Sequence, residues 1–526
     1  MRNEASAPEA MRRWELSVAL DPARTQPLFL QLADAIADDI RRGRLKPGEP
    51  LPGTRELAES LALNRNTVVA GYDELAAEGL VSTRVGGGTF VSANAPPPPD
   101  APSLAPLQPT YALPPLVHAP PARAVLAPGM LMLANGAPDV RLFPARPLAR
   151  AFRRAIEHRG RALLTASDPC GHVRLRIELA AMLARTRGLV ATPDTLMVTR
   201  SIEQGIDLVA RTLIAPGDVV AVEAFGYPPA RSVLKLAGAR LAPMPLDAEG
   251  LDVDALEALL ARERVRAVFL TPHHQFPTTV VMSARRRARL ASLALAHGFA
   301  IVEDDYDHEF HYAGKPVLPL AAGAGRANVI YIGSLANLLA PGISSGFVVA
   351  PPPVAERIAC LRAASDARGD AAVECAIAEL FEDGELLRHV RRTRRIYLAR
   401  RDALADSLRR RLGSALDFRV PDGGLALWAR VDDAIDVAAW SRAGERAGVR
   451  FHGAQPYDFF GDEQPFVRLA FSYHDEAELD AAVARMARAL GTMRAEPSKR
   501  ATPELAQDSR RVASAAMRER RVASSI

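Results

Sequence analysis

The chain has 526 residues, 48% of them hydrophobic, with 66 Lys and Arg against 61 Asp and Glu and a formal net charge of +5. It is too long for one ordinary domain and apolar enough for a sizeable core, yet it has no run of 18 apolar residues, so a transmembrane helix and a membrane partner are not expected. Residues 1–16 lack the apolar stretch of a secretory signal, and three scattered cysteines, Cys170, Cys360 and Cys375, point to reduced thiols in a cytoplasmic protein, not to a disulfide framework.

Residues 1–25 read as a polar lead-in. Residues 26–92 predict helices followed by a hairpin. Leu28, Leu32, Ile36 and Ile40 recur at every fourth position, one face of a first helix that stops near Arg42-Gly43. Thr54 is expected to cap a second helix over 55–61, and Ala62-Leu63 to make a tight turn. Asn64 is expected to cap a third helix that runs to about Glu78 and breaks at Gly79. Val68, Val69, Tyr72 and Leu75 give this third helix its packing face. Residues 80–91, with Gly86-Gly87-Gly88 at the centre, predict a two-stranded wing.

This arrangement suits double-stranded DNA. The N-terminal residues of the third helix, Arg65, Asn66 and Thr67, would face base edges in the major groove, where arginine pairs with guanine and asparagine with adenine. Arg55 would clamp the backbone. Arg84, Gly88 and Thr89 would bring the wing against the duplex. Residues 27–92 carry seven Lys/Arg and nine Asp/Glu, so any affinity must come from a few well-placed arginines and should fall as salt rises.

Residues 93–130 hold so many prolines that neither helix nor strand is expected. They predict a semi-extended linker. From 131 to 492, short β-rich runs at 195–199, 218–223, 267–272, 299–305 and 329–334 alternate with helical stretches such as 283–297. That alternation predicts a parallel or mixed sheet covered on both faces. Long helices after about Arg357 and strands near 425–431 and 466–471 predict a smaller α+β subdomain. Residues 493–526 form a polar, basic tail that repeats Arg-Arg-Val-Ala-Ser at 510–514 and 520–524 and predicts disorder.

Residues 52–80 (PGTRELAESLALNRNTVVAGYDELAAEGL) and the later GGGTFV closely resemble the GntR-type winged helix-turn-helix, with Gly53 in place of the usual serine. The second region resembles fold-type I aminotransferases in the form found in MocR regulators. The matching stretches are 136–139, 142–144, 168–172, 215–218, 271–278, 303–307 and 339–342. The fold expected is thus multidomain: a mainly α winged helix-turn-helix, then an α/β aminotransferase-like domain with a smaller α+β C-terminal subdomain.

The resemblance implies a pyridoxal phosphate pocket. Asp304 would face the ring nitrogen, Tyr306 the phenolic oxygen, and Tyr227 the ring. Arg468 would hold a substrate carboxylate, and His274 belongs to the same family loop. It also implies a homodimer, and an amino or vitamer effector whose aldimine shift moves the DNA-binding domains. Other family positions are lost. The lysine that should form the imine is Asn337, the hydroxyl beside it is Ala336, and a phosphate-neutralising arginine is Ser344. The Gly-Ser-Gln phosphate loop reads Ser201-Ile202-Glu203.

The chain has only four lysines, Lys46, Lys235, Lys315 and Lys499, and none is near these stretches in sequence. The expectation is a sequence-specific regulator at a DNA operator, without covalent cofactor or transaminase activity. The rival reading, an active aminotransferase carrying a DNA-binding domain, would need a lysine at 337. His273, His274, His308 and His311 fall in two short stretches without tight ligand spacing, and no metal site is expected.

Overall fold

In the computed structural model, the periodic residues of the first segment become α1 (Leu28–Arg41), whose Leu32, Ile36 and Ile40 are buried. α2 (Thr54–Ser60) begins one residue earlier than expected: Gly53 is its N-cap and Thr54 its first helical residue, so no side chain caps it. Ala62 turns the chain between α2 and α3 with a left-handed φ of 52°. α3 (Arg65–Ala77) is capped as expected, Asn64 Oδ1 accepting from the Asn66 amide at 2.9 Å. An Asn64→Ala chain is expected to lose about 1 kcal/mol in this small domain, lowering the midpoint of its own calorimetric transition by roughly 4–8 °C.

Gly71 lies where a Cβ would stand 3.1 Å from the Phe29 carbonyl oxygen and 3.3 Å from Leu32 Cδ2, so glycine lets α1 and α3 close on Leu32, Val68 and Leu75. The wing is β1 (Val81–Arg84) paired antiparallel with β2 (Gly88–Val91), Arg84 opposite Gly88 and Thr83 opposite Thr89.

The structure describes residues 20–21, 26–84, 88–93, 127–134, 136–165, 168–343, 345–366 and 369–495. The glycines Gly86 and Gly87 of the wing tip, most of the linker, the C-terminal repeats and Ser344 lie outside them. The chain divides into two units, residues 1–115 and 116–526. No helix among the described residues is long and apolar enough to cross a membrane.

The larger unit is built on a seven-stranded sheet. Its strands are β3 (Leu196–Thr199), β4 (Val219–Glu223), β5 (Arg240–Met244), β6 (Val265–Leu270), β7 (Ala300–Asp305), β8 (Val329–Ser334) and β9 (Gly346–Val349). They lie in the order β3-β9-β8-β7-β6-β4-β5, and only β9 runs antiparallel to its neighbours. The five expected strands are all present. β5, an edge strand containing Pro243, and β9 were not expected from the sequence. Helices such as Ile202–Leu213 and Ala284–His297 cover the sheet, the latter capped by Ser283. The buried Asp305 at the end of β7 is compensated from outside that strand. Arg187, 1% exposed, binds Glu309 and the Tyr331 hydroxyl, and its Nη1 lies 3.7 Å from Asp305 Oδ2.

The expected α+β subdomain is present. Helices Pro352–Ser365, Ala371–Glu382 and Glu385–Leu412 lead into an antiparallel sheet of β10 (Leu416–Asp417), β11 (Ala426–Val431), β12 (His452–Gly453) and β13 (Phe466–Ala470), in the order β10-β11-β13-β12.

Candidate effector cavity and nucleic-acid interface

In the small unit, the sequence-predicted DNA contacts fall on exposed positions. Arg55 is the second residue of α2, Arg65 and Asn66 open α3, Arg84 ends β1, and Thr67 is half-buried beside them. Arg65 Nε donates to Thr54 Oγ1 at 3.5 Å, and the Arg84 guanidinium lies 4.9 Å over the Phe90 ring. Three of the segment's acidic residues pair with arginines away from these positions. Asp38, Asp39 and Glu78 pair with Arg41, Arg42 and Arg44, at the far end of α1 and just beyond it. Among the described residues, Arg55, Arg65 and Arg84 have no acidic partner, so their charge is available to phosphates.

In the large unit, a cavity of about 470 Å³ opens at the C-terminal ends of β7 and β8. Ligands of open α/β sheets collect at such strand ends. Asp304, Tyr306, Tyr227 and Arg468 line it, as expected, together with Ser201, Ile202, Glu203, Ala336 and Asn337. His274 does not: its ring is fully buried behind the wall, with Nδ1 2.8 Å from Asp307 Oδ1, and only its carbonyl oxygen reaches the site, accepting from the Tyr306 hydroxyl at 3.0 Å. Alternation along β7 sends Glu303 and Asp305 to one face and Asp304 to the other.

One end of the cavity is acidic. Asp304 is 2% exposed and its Oδ1 has no hydrogen-bond partner among the described residues. Burial, with Asp305 and Glu203 nearby, holds its carboxyl well above the usual range. Glu203 accepts from the Tyr227 hydroxyl at 2.6 Å. Glu203 stands in the first turn of helix Ile202–Leu213, where Ser201 Oγ accepts from Gln204 N at 3.3 Å. An acidic side chain thus occupies the place where the helix dipole favours an anion.

The other end is basic. The Arg468 guanidinium is 4% exposed, stacks 4.7 Å from the Phe276 ring centre, and leaves Nε unpartnered among the described residues. A Cβ at Gly136 would stand 3.0 Å from Arg468 Nη2, so glycine admits the guanidinium. Between the two ends, Asn337 Nδ2 donates to the Tyr306 carbonyl at 3.0 Å, and the Ala336 amide donates to Ser334 Oγ at 3.1 Å. Among the described residues, no lysine lines the cavity.

Tyr457 was missed from sequence. It packs 5.4 Å from Phe276 and completes the aromatic wall. Its loop is tied across the chain by Gly226 N donating to the Tyr457 carbonyl at 3.1 Å and Phe459 N to that of Ala224 at 2.8 Å. These contacts span some 230 residues, so no local pattern signals them.

Glu223, at the end of β4, is buried, and its Oε2 accepts from Thr271 N at 3.0 Å, Thr271 Oγ1 at 2.8 Å and Gln275 Nε2 at 3.1 Å. Burial pushes its carboxyl up to about 7, against those hydrogen bonds, and Glu303 is likewise raised to about 7. Both folded values exceed the ordinary 4.5, so the native protein keeps protons that the unfolded chain releases. The stability these groups contribute is complete at low pH and is lost as pH rises through about 7. Glu223→Gln keeps the acceptor oxygen. It is expected to flatten the fall in melting temperature between about pH 4.5 and 7, as read by scanning calorimetry.

The fold and these two sites define a class: a GntR helix-turn-helix followed by an aminotransferase-fold domain. The family of bacterial regulatory proteins, gntR family, matches residues 28–91, and aminotransferase class I and II matches residues 128–486. The chain is 31% identical to the probable rhizopine catabolism regulatory protein MocR of Rhizobium meliloti, over 82% of this chain and 88% of that one. It is 32% identical to the pyridoxine biosynthesis transcriptional regulator PdxR of Corynebacterium glutamicum, over 75% and 82%. The crystal structure of LysN, the α-aminoadipate aminotransferase of Thermus thermophilus, superposes with a TM-score of 0.65 at 28% identity, over 70% of this chain and 94% of that one. The chain belongs to the MocR-type regulators of the GntR family.

Proposed function

We propose that this chain binds a DNA operator through α3 and the wing, and that its large domain is a homodimerising receptor for a zwitterionic amino compound, held noncovalently and not transaminated. The observation that carries the second half is Asn337. At the position matched to the imine-forming lysine stands an amide whose nitrogen is already donated to the Tyr306 carbonyl. An amide nitrogen is not nucleophilic and cannot condense with an aldehyde.

Pyridoxal phosphate, which the family implies, fits this donor set poorly. Asp304 suits a ring nitrogen, but Glu203, Ile202 and Ala336 offer no cation or side-chain donor to a phosphate dianion. Losing an arginine–phosphate bond alone costs about 1.5–3 kcal/mol. The same lining suits a smaller ligand with two charges. Asp304 and Glu203 would take an ammonium group, Arg468 a carboxylate, and the aromatic wall the carbon chain between them.

The test is borohydride reduction of the purified protein after incubation with pyridoxal phosphate, followed by mass spectrometry. No pyridoxyl adduct is expected, and no imine absorbance. An adduct on any residue lining the cavity would restore the aminotransferase reading. DNA selected from a random pool should share one site, with unchanged choice when pyridoxal phosphate is added.

A further inference from the structure

Behind the cavity wall, four imidazoles from two loops crowd together. His273 and His274 follow β6, while His308 and His311 follow β7. The ring centroids of His273 and His274 are 4.0 Å apart, those of His273 and His308 4.8 Å, and those of His274 and His311 5.6 Å, the last pair nearly parallel. His273 is 2% exposed, and neither of its ring nitrogens has a hydrogen-bond partner among the described residues. A buried imidazole with both nitrogens unpaired is rare in folded proteins. A bound cation is one partner that would satisfy it.

We propose that His273, His274 and His311 bind one divalent transition-metal ion of the zinc class. One nitrogen from each lies within 4.8 Å of the others. His274 Nε2 and His311 Nδ1 are 3.3 Å apart. Two nitrogens each about 2.0–2.1 Å from a tetrahedral zinc ion are separated by roughly 3.3 Å, so this spacing is already that of two ligands of one ion. Asp307 Oδ1, 2.8 Å from His274 Nδ1, fixes that ring and turns Nε2 inward. A carboxylate behind a ligating histidine is the usual support of such sites.

Gly423 makes room. Its backbone pairs with His311, and a Cβ there would overlap His274 Nε2. Three neutral imidazoles without a thiolate favour zinc and its neighbours over hard cations. The half-exposed His311 leaves an entry path and an open fourth position for water.

A second triad, His273, Asp305 and His308, shares one ring with this set. There Asp305 Oδ2 accepts from the Tyr331 hydroxyl at 2.6 Å and lies 2.9 Å from His308 Nδ1 and 3.7 Å from Arg187, while Oδ1 has no hydrogen-bond partner among the described residues. The 3.3 Å spacing of His274 Nε2 and His311 Nδ1 and the half-exposed His311 assign the ion to the three histidines, since every member of the second triad is buried. It would also brace the cavity, because the His274 carbonyl accepts the hydroxyl of Tyr306.

The test uses the untagged full-length protein, stripped with a chelator and titrated with zinc against a chromophoric competitor. Wild type is expected to bind one equivalent and to melt at higher temperature with zinc present. His311→Ala and His273→Ala should lose that equivalent, and Asp307→Asn should weaken it by roughly 10- to 100-fold. His308→Ala should keep it. Should the buried His273→Ala chain fail to fold, His311→Gln on the half-exposed ring decides the matter. Zinc uptake equal in wild type and the His311 variants, or none in either, overturns the proposal. So does loss in His308→Ala but not in His311→Ala.

Discussion

Replacing Arg65 by alanine is expected to weaken operator binding by about 10- to 100-fold, the roughly 1–3 kcal/mol carried by one bidentate contact to a base. The side chain is exposed at the start of α3, and its one hydrogen bond among the described residues is the 3.5 Å contact to Thr54 Oγ1. Nothing in the core rests on it, so melting temperature and oligomeric state should not move. Arg55→Ala should act differently. An arginine on a phosphate weakens binding to all sequences alike and lowers the slope of log affinity against log salt by about one. Gel retardation over a salt series, with the selected site and with unrelated DNA, separates the two. If Arg65→Ala weakened both DNAs equally, Arg65 would be a phosphate contact and base reading would have to come from Asn66 or Thr67. If it weakened neither, α3 would not be the recognition helix.

The small domain was largely legible because its signals are local. A fourfold apolar repeat gave α1, an asparagine cap gave the start of α3, and glycines marked the wing. The displaced cap of α2 shows the limit: Thr54 has a capping side chain, yet the chain enters the helix one residue earlier, at Gly53. The central strands of the large domain were legible as apolar runs, while Pro243 interrupts that pattern in β5.

The cavity divides in the same way. Asp304 and Arg468 follow from the family's own stretches, and both line the cavity. His274 comes from such a stretch too, but its ring is turned out of the site by Asp307, a contact across 33 residues. The histidine cluster was dismissed for want of tight spacing. Spacing along the chain is the wrong measure there, because β6 and β7 are adjacent parallel strands and bring two distant loops to the same sheet edge. Pairing Asp305-x-x-His308-x-x-His311 with His273-His274 needed only that adjacency.

The effector reading stands or falls on Arg468. An Arg468→Ala chain is expected to bind amino compounds bearing a carboxylate about 10- to 100-fold more weakly, from the loss of roughly 1.5–3 kcal/mol for a hydrogen-bonded charge. Truncation alone does not prove the contact. The guanidinium also stacks on Phe276 at 4.7 Å, and its removal empties part of the wall. The ligand supplies the control. A panel of free amino acids and the matching amines, identical but for the carboxylate, can be run on wild type and variant by thermal shift and calorimetry.

If Arg468 grips the carboxylate, the acids lose affinity on mutation and the amines do not, and the difference is the coupling energy. If acids and amines lose equally, the arginine only packs the wall and the carboxylate site lies elsewhere. Arg468→Lys sharpens the result, since a lysine keeps the charge but not the two-pronged geometry and should recover only part of the difference. The acidic end predicts the converse: Glu203→Gln should weaken acids and amines together, because both carry the ammonium group.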